Sequence, residues 1–317
     1  MDNIVRRQMD EFLQSLELEK NASERTIRNY RFYLKRFVDW MNVKHPLEIT
    51  SDKIKQFRLR LNRMENPRGG PLKKSTQNYH LIALRAFLKF LARNDIQTLA
   101  PEKITLAKQD ERQVSVLEPD ELDRFLNAPI KEKMDVSRIR DKAILETLFS
   151  TGLRVSELAS LKRVDINLKK DEHTVRGKGR KLRLVFISGQ ARKWIAEYLA
   201  KRHDEDPSLF VRHDRASDLG KNDEKDKSAP ALTARSIQRL VQHYAATAGI
   251  TKRITPHTLR HTYATDLLAN GADIRSVQAM LGHASITTTQ IYTHITNRQL
   301  KDVYYAFHGR QRKKSNP

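Results

Sequence analysis

Two mainly α-helical domains, the second carrying one small antiparallel β-hairpin, are what this sequence predicts, and three observations predict it. The chain has 317 residues, about twice a typical domain. Apolar residues recur at intervals of three and four along most of its length, the spacing of an amphipathic helix. In one stretch, near residues 174–187, the period changes to the two-residue spacing of a strand. Residues 94–115 contain Pro101 and hold no sustained period. The expected division is therefore a helical domain over 1–100, a linker over 101–116 and a second domain over 117–317.

In the first domain, Ser23 can cap a helix whose apolar positions are Ile27, Tyr30, Leu34, Phe37 and Met41. A second helix is predicted from about Ser51 to Met64. The segment NPRGGP (66–71) then breaks the chain, because it joins two prolines to a glycine pair. A third helix should start near Ser75, with Tyr79, Ile82, Ala86 and Phe90 on one side. In the second domain, LEPDELDRFL places acids in the first turn of a helix, where the positive end of the helix dipole favours them. Another apolar-periodic helix spans 139–150. Leu182, Leu184 and Phe186 alternate with Arg183, Val185 and Ile187, and Thr174–Arg176 precedes them across GKGRK. That is a hairpin with a glycine-rich, basic tip. Helices follow at 190–201 and 235–248, separated by an acidic, apolar-poor stretch (203–230) that reads as a surface loop. Leu300, Val303, Tyr304 and Phe307 fall at i, i+3, i+4 and i+7, so 297–308 should be a helix with one apolar stripe. No internal repeat is visible.

Sixty Lys and Arg against 38 Asp and Glu leave a net charge of +22. Such an excess speaks to partners rather than to fold, and its commonest partner is a polyanion. An anionic membrane surface competes with that reading, but no apolar run approaches the ~20 residues of a spanning helix. The N-terminus, MDNIVRRQMDEFL, has acids where a signal peptide would be apolar. With no cysteine, disulfides and thiolate metal sites are excluded. The expectation is a cytoplasmic, nucleoid-associated protein that binds nucleic acid. Residues 53–93 hold eleven basic residues and a single acid, Glu65, too one-sided for a salt-bridged solvent face. Lys53, Lys55, Arg58, Arg60, Arg63, Lys73, Lys74 and Arg85 are the candidate phosphate contacts.

Four short segments in the second domain can carry chemistry: TGLRVSEL (151–158), RGKGRK (176–181), TPHTLRH (255–261) and LGH…TTTQIYTH (281–294). Taken singly, each has an ordinary structural reading: a helix stop and restart, a hairpin turn, a satisfied histidine, a core tyrosine. Geometry adds weight to the third. Thr255–Pro256 is a strong helix start, which puts His257 near the positive helix end and Arg260 three residues on along the same face. An anion suits that arrangement. His257 and His261, at i and i+4, fit zinc instead, although Arg260 beside them disfavours a cation and the glutamate of an HExxH motif is absent.

At this point PHTLRHTYATDLLANGADIRSVQAMLGHASITTTQIYTHI (256–295) closely resembles the core signature of the tyrosine recombinases, and among them the Xer type. TGLRVSEL resembles the family's first arginine box, and the GKGRK hairpin resembles the turn that bears its lysine. The basic helical first domain resembles the family's core-DNA-binding domain, on architectural grounds. The resemblance implies that Arg154 and Arg260 clamp the scissile phosphate, with His257 beside them and His283 at a position that the family fills with His or Trp. It implies that Tyr292 is the nucleophile and that Lys178, with Lys181 three residues away, is the hairpin lysine. Two arginines offer bidentate donors to the nonbridging oxygens and can take the place of metals, and a tyrosine can wait as a phosphotyrosyl ester. The implied enzyme therefore cuts and rejoins DNA through a 3′-phosphotyrosyl intermediate, with neither metal nor nucleotide cofactor. Its implied partners are double-stranded DNA at a specific site and its own copies, four on two duplexes. A paralogue within the tetramer and a DNA translocase are further implied candidates. Resolution of chromosome dimers, and with it chromosome partition, is the implied role; DNA integration by a mobile element is its alternative. A type IB topoisomerase shares the chemistry without a defined site, a DNA-binding regulator shares only the charge, and a zinc hydrolase would need a metal.

Overall fold

The computed structural model describes residues 3–66, 69–108, 115–131, 135–176, 182–213, 231–282, 304–306 and 308. The protein is mainly α-helical and divides into two compact units, Met1–Arg112 and Gln113–Pro317.

The first unit contains α1 (Ile4–Leu18), α2 (Glu24–Met41), α3 (Ser51–Arg63) and α4 (Lys74–Arg93). Side chains of Asn3, Ser23 and Thr50 each accept a hydrogen bond from the backbone three residues on, which fixes where α1, α2 and α3 begin. Asn42, in the left-handed conformation, ends α2. Phe12, Leu34, Phe37, Phe57, Leu84, Phe87 and Leu88 fill the core between them, with the Phe37 and Phe57 rings edge to face at 5.0 Å. The buried stripe of α4 differs from the expected one. Leu81, Leu84, Leu88 and Leu91 face inward, Ala86 and Phe90 are half-buried, and Tyr79 and Ile82 are exposed. This helix carries apolar residues on two stripes, and the leucine stripe has the better shape for the core. Within the expected linker, Ile104 is buried and Ala107 is held against α4. The Asn78 amide donates to the Ala107 carbonyl and accepts from its N–H, both at 2.9 Å.

The second unit contains α5 (Pro119–Asn127), α6 (Val136–Thr151), α7 (Val155–Ala159), β1 (Glu172–Arg176), β2 (Leu182–Phe186), α8 (Gly189–Ala200), α9 (Ala234–Thr247), α10 (Pro256–Ala269) and α11 (Ile274–Leu281). Helix α6 is the axis: every residue from Ile139 to Thr151 is buried. It carries an ion pair into the core, Lys142 to Glu146 at 2.9 Å. The ammonium also donates to the Leu126 carbonyl and to Asn127 Oδ1, both at 2.8 Å, so its charge is not left unsolvated. Strands β1 and β2 pair antiparallel, Glu172 opposite Phe186 through Arg176 opposite Leu182. At the Leu182 end of β2 the apolar residue faces out and the charged one in. Leu182 is 67% exposed, whereas the Arg183 side chain is 9% exposed, because an acid awaits the arginine inside.

The expected loop over 203–230 is overturned for its first part. Leu209, Phe210 and Val211 are buried in the core, and β-bridges join Ser208 to Lys162 and Val211 to Ala231. Arg202 organises the turn, donating to the Ser208 and Leu209 carbonyls at 2.7 and 2.8 Å and to Asp204 at 2.9 Å. Composition missed this because three apolar residues sit among many acids. Near the C-terminus, residues 304–306 are helical. Tyr304 is buried against Phe186, ring centroids 5.5 Å apart, with its hydroxyl 3.1 Å from that of Ser150. His308 lies between the rings of Phe149 and Tyr263, with Nδ1 3.1 Å from the Asp266 carboxylate. Leu300, Val303 and Phe307 of the expected stripe lie outside the described residues. No described helix is long and apolar enough to cross a membrane.

Candidate active site

Two glycine-ended helices build the site. Helix α6 stops at Gly152, whose left-handed backbone (φ 57°) lets its N–H bond back to Leu148. A side chain there is excluded twice, since a Cβ would lie 2.6 Å from the Tyr263 ring. The chain turns and restarts as α7, with Arg154 as its N-cap residue. The Glu157 carboxylate accepts from the Arg154 N–H at 2.8 Å and from its guanidinium at 2.9 Å. Helix α11 stops at Gly282, again left-handed (φ 62°). Its free carbonyls point at three arginines. Arg260 and Arg183 both donate to the Leu281 carbonyl, and Arg154 donates to that of Gly282 at 3.3 Å. Arg260 also donates to the Gly152 carbonyl at 2.6 Å, joining the two helix ends. The negative end of a helix dipole is a natural seat for cations.

Arg183 completes the group by donating to Glu157 Oε2 at 2.7 Å. Two guanidiniums therefore share one carboxylate, and the third, that of Arg260, joins them through the Leu281 carbonyl. Burial, followed by the charges of Arg154 and Arg183, pushes Arg260 down to about 9, so it stays a cation at neutral pH in a crowded positive field. An incoming anion would relieve that repulsion, and guanidiniums are suited to bind one.

Of the residues singled out in the sequence, Arg154 and Arg260 meet on this platform. His257 is the second residue of α10 and is exposed, while Arg260, one turn on, points inward. Lys178, Lys181, His283 and Tyr292 lie outside the described residues. Glu157 and Arg183 were missed. For Glu157 a signal existed, an acid three residues after Arg154 on a helix start. Arg183 looked like the solvent-facing member of an alternating strand. Of the eight candidate phosphate contacts, Lys55, Arg60, Arg63, Lys73 and Lys74 are exposed and Arg85 is half-buried. Arg60 stacks over Trp40, while Lys53 pairs with Glu48 at 3.3 Å and Arg58 donates to Thr105 at 3.1 Å.

Residues 115–299 match the phage integrase family, and residues 9–95 match the phage integrase N-terminal SAM-like domain. Among similar proteins is tyrosine recombinase XerD of Oceanobacillus iheyensis, 36% identical over 303 residues, covering 95% of this chain and 98% of that one. XerD of Chlorobaculum tepidum is 37% identical over 319 residues, covering 96% and 97%. XerC of Thermodesulfovibrio yellowstonii is 35% identical over 310 residues, covering 94% of each. Solved structures share the fold. XerH bound to its difH substrate has a TM-score of 0.63 at 23% identity, over 93% of this chain and 82% of that one. The Tn1549 transposon integrase in complex with circular intermediate DNA scores 0.65 at 20% identity, over 93% and 97%.

Proposed function

Because the chain belongs to the phage integrase family, as a tyrosine-type site-specific recombinase of the Xer kind, we propose that Tyr292 is its nucleophile and that Arg154, Lys178, His257, Arg260 and His283 complete its catalytic set. The observation that carries this reading is the meeting of Arg154 and Arg260, from two distant segments, on the carbonyls of Gly152, Leu281 and Gly282. A rigid pair of guanidiniums is what a scissile phosphodiester requires as charge builds on its nonbridging oxygens.

In the step proposed, the Tyr292 oxygen attacks phosphorus and the bond to the 5′ oxygen breaks, leaving a 3′-phosphotyrosyl ester. His257, aided by His283, accepts the phenolic proton, which is needed because a free tyrosine ionises near pH 10. Lys178 gives a proton to the departing 5′ oxygen. A 5′ hydroxyl from another strand then reverses the step, so bond energy is conserved and strands are exchanged. The described tyrosines beside the platform fit the role poorly. Tyr263 is buried beneath Gly152, and burial raises its ionisation far above the ordinary range. Tyr304 is likewise buried and bonded to Ser150.

The partner is duplex DNA at a specific site, in keeping with the +22 charge and with the DNA-bound relatives. The basic face of α3 and α4 serves as its phosphate-binding surface, through Lys55, Arg60, Arg63, Lys73 and Lys74 in the main. Four copies, with or without a paralogue, act on two duplexes at the nucleoid. In the tetramer the C-terminal segment, seated here on its own chain through Tyr304, docks instead on a neighbouring subunit, and resolution of chromosome dimers, prompted by a DNA translocase, is the role.

The test is Tyr292→Phe on a nicked suicide duplex carrying the site that the wild-type chain selects from a randomised duplex pool. Binding should persist with no covalent complex. An adduct formed by the variant would sink the assignment.

A further inference from the structure

We propose that Arg183 is a positioning residue for strand cleavage: through Glu157 it holds Arg154 in place while restoring the positive charge that Glu157 removes from the phosphate site. The inference rests on the proposed function, in which Arg154 and Arg260 bind the scissile phosphate.

An arginine meant to grip a phosphate must be held still, and a carboxylate is the strongest available anchor for it. Glu157 does this for Arg154, through both the backbone N–H and the guanidinium. The anchor has a cost, because a buried carboxylate cancels one unit of the charge that the reaction uses. Glu157 is buried, its side chain 5% exposed. Arg154 and Arg260 would then present one net positive charge to a phosphodiester whose negative charge spreads and grows during transfer. Arg183 supplies the missing unit. Its guanidinium takes the second carboxylate oxygen at 2.7 Å, from the strand that leads out of the hairpin tip. With it, three cations and one anion leave the cluster at two net positive charges.

Arg183 is built into this position rather than swept there. A second donor reaches the Leu281 carbonyl, the same acceptor that Arg260 uses. Gly282 leaves room for its stem, since a Cβ at that position would fall 2.9 Å from Arg183 Cδ. Its charge is felt at the partner site: Arg183 is among the groups that lower Arg260. Arg183 does not need to touch DNA for any of this.

Charge compensation and simple scaffolding differ in what a double substitution does. Arg183→Gln leaves the cluster with one net positive charge, Glu157→Gln leaves it with three, and the pair together return it to two. The measurement is the single-turnover rate of covalent adduct formation on the nicked suicide duplex, at saturating protein, with duplex affinity and thermal unfolding measured alongside. Arg183→Gln should slow adduct formation by about tenfold to a hundredfold with little change in affinity, a tenfold loss being about 1.4 kcal/mol of transition-state stabilisation. Adding Glu157→Gln should recover at least a factor of about five over Arg183→Gln alone. Arg183→Lys, which keeps the charge and loses the fork, should stay within about fivefold of wild type. A double variant as slow as or slower than Arg183→Gln would overturn the proposal. So would Arg183→Lys being as slow as Arg183→Gln, and if Arg183→Gln does not fold, a hundredfold loss in Arg183→Lys decides the matter against it. Failure of the proposed function looks different, since wild type itself would then form no adduct.

Discussion

Gly152 is the residue on which most of the site depends. Its left-handed backbone ends α6, its carbonyl holds Arg260, and its missing side chain admits Tyr263. Gly152→Ala should therefore destabilise the protein by about 2–4 kcal/mol, combining backbone strain with overpacking. The check is a lower urea midpoint at unchanged m-value. An unaltered midpoint would mean that Tyr263 moves aside freely. Residue identities at this scale were partly legible. Thr255–Pro256 announced α10, and the side chain of Thr255 does accept from Thr258. Arg154 and Arg260 stand out in their motifs, and they meet. Glu157 left a signal in its spacing from Arg154, but Arg183 was not legible, because a carboxylate shared between two arginines is a fact of folding and not of spacing. Arg183 in particular sits inward while Leu182 beside it faces solvent.

Among the elements, helices with one clean stripe were readable and those with two were not. Ser23 and the period from Ile27 to Met41 define α2 as found. On α4 a choice between stripes was needed, and only the shape of the facing helices makes it. The acidic stretch after residue 203 hid Leu209, Phe210 and Val211 because their binding to the core depends on Arg202 folding the turn beneath them. The docked C-terminal piece is the element with the most testable consequence. Tyr304 fills a site made by Phe186 and Ser150, so Tyr304→Ala should remove about 3–5 kcal/mol of docking energy. Amide exchange at His308, whose N–H donates to the Tyr304 carbonyl at 2.8 Å, should then accelerate at least about tenfold. Unchanged exchange would show that Tyr304 does not hold the segment.

For the whole molecule, the balance of charge was the most direct guide to partners, and its placement can be tested. Lys73 and Lys74 are exposed at the start of α4, in the eleven-cation stretch that holds one acid. Reversing both charges should weaken duplex binding and flatten its salt dependence by about one unit of log slope for each phosphate no longer neutralised. Reversing Lys53, which is paired to Glu48, should change the slope less. Equal slopes for wild type and the Lys73/Lys74 variant would turn the basic face away from DNA. Two helical units and one hairpin were legible from length and period, since periodicity survives without knowledge of neighbours. How a carboxylate, two helix ends and three arginines assemble into one cluster was not. Whether Tyr292 becomes joined to DNA is tested most directly by mapping the adduct. Wild-type protein trapped on the suicide duplex would be digested with protease and nuclease, and the modified peptide sequenced by mass spectrometry. The expected result is a nucleotide joined through its 3′ phosphate to Tyr292; a modified Tyr263, Tyr304 or Tyr305, or a 5′ linkage, would contradict it.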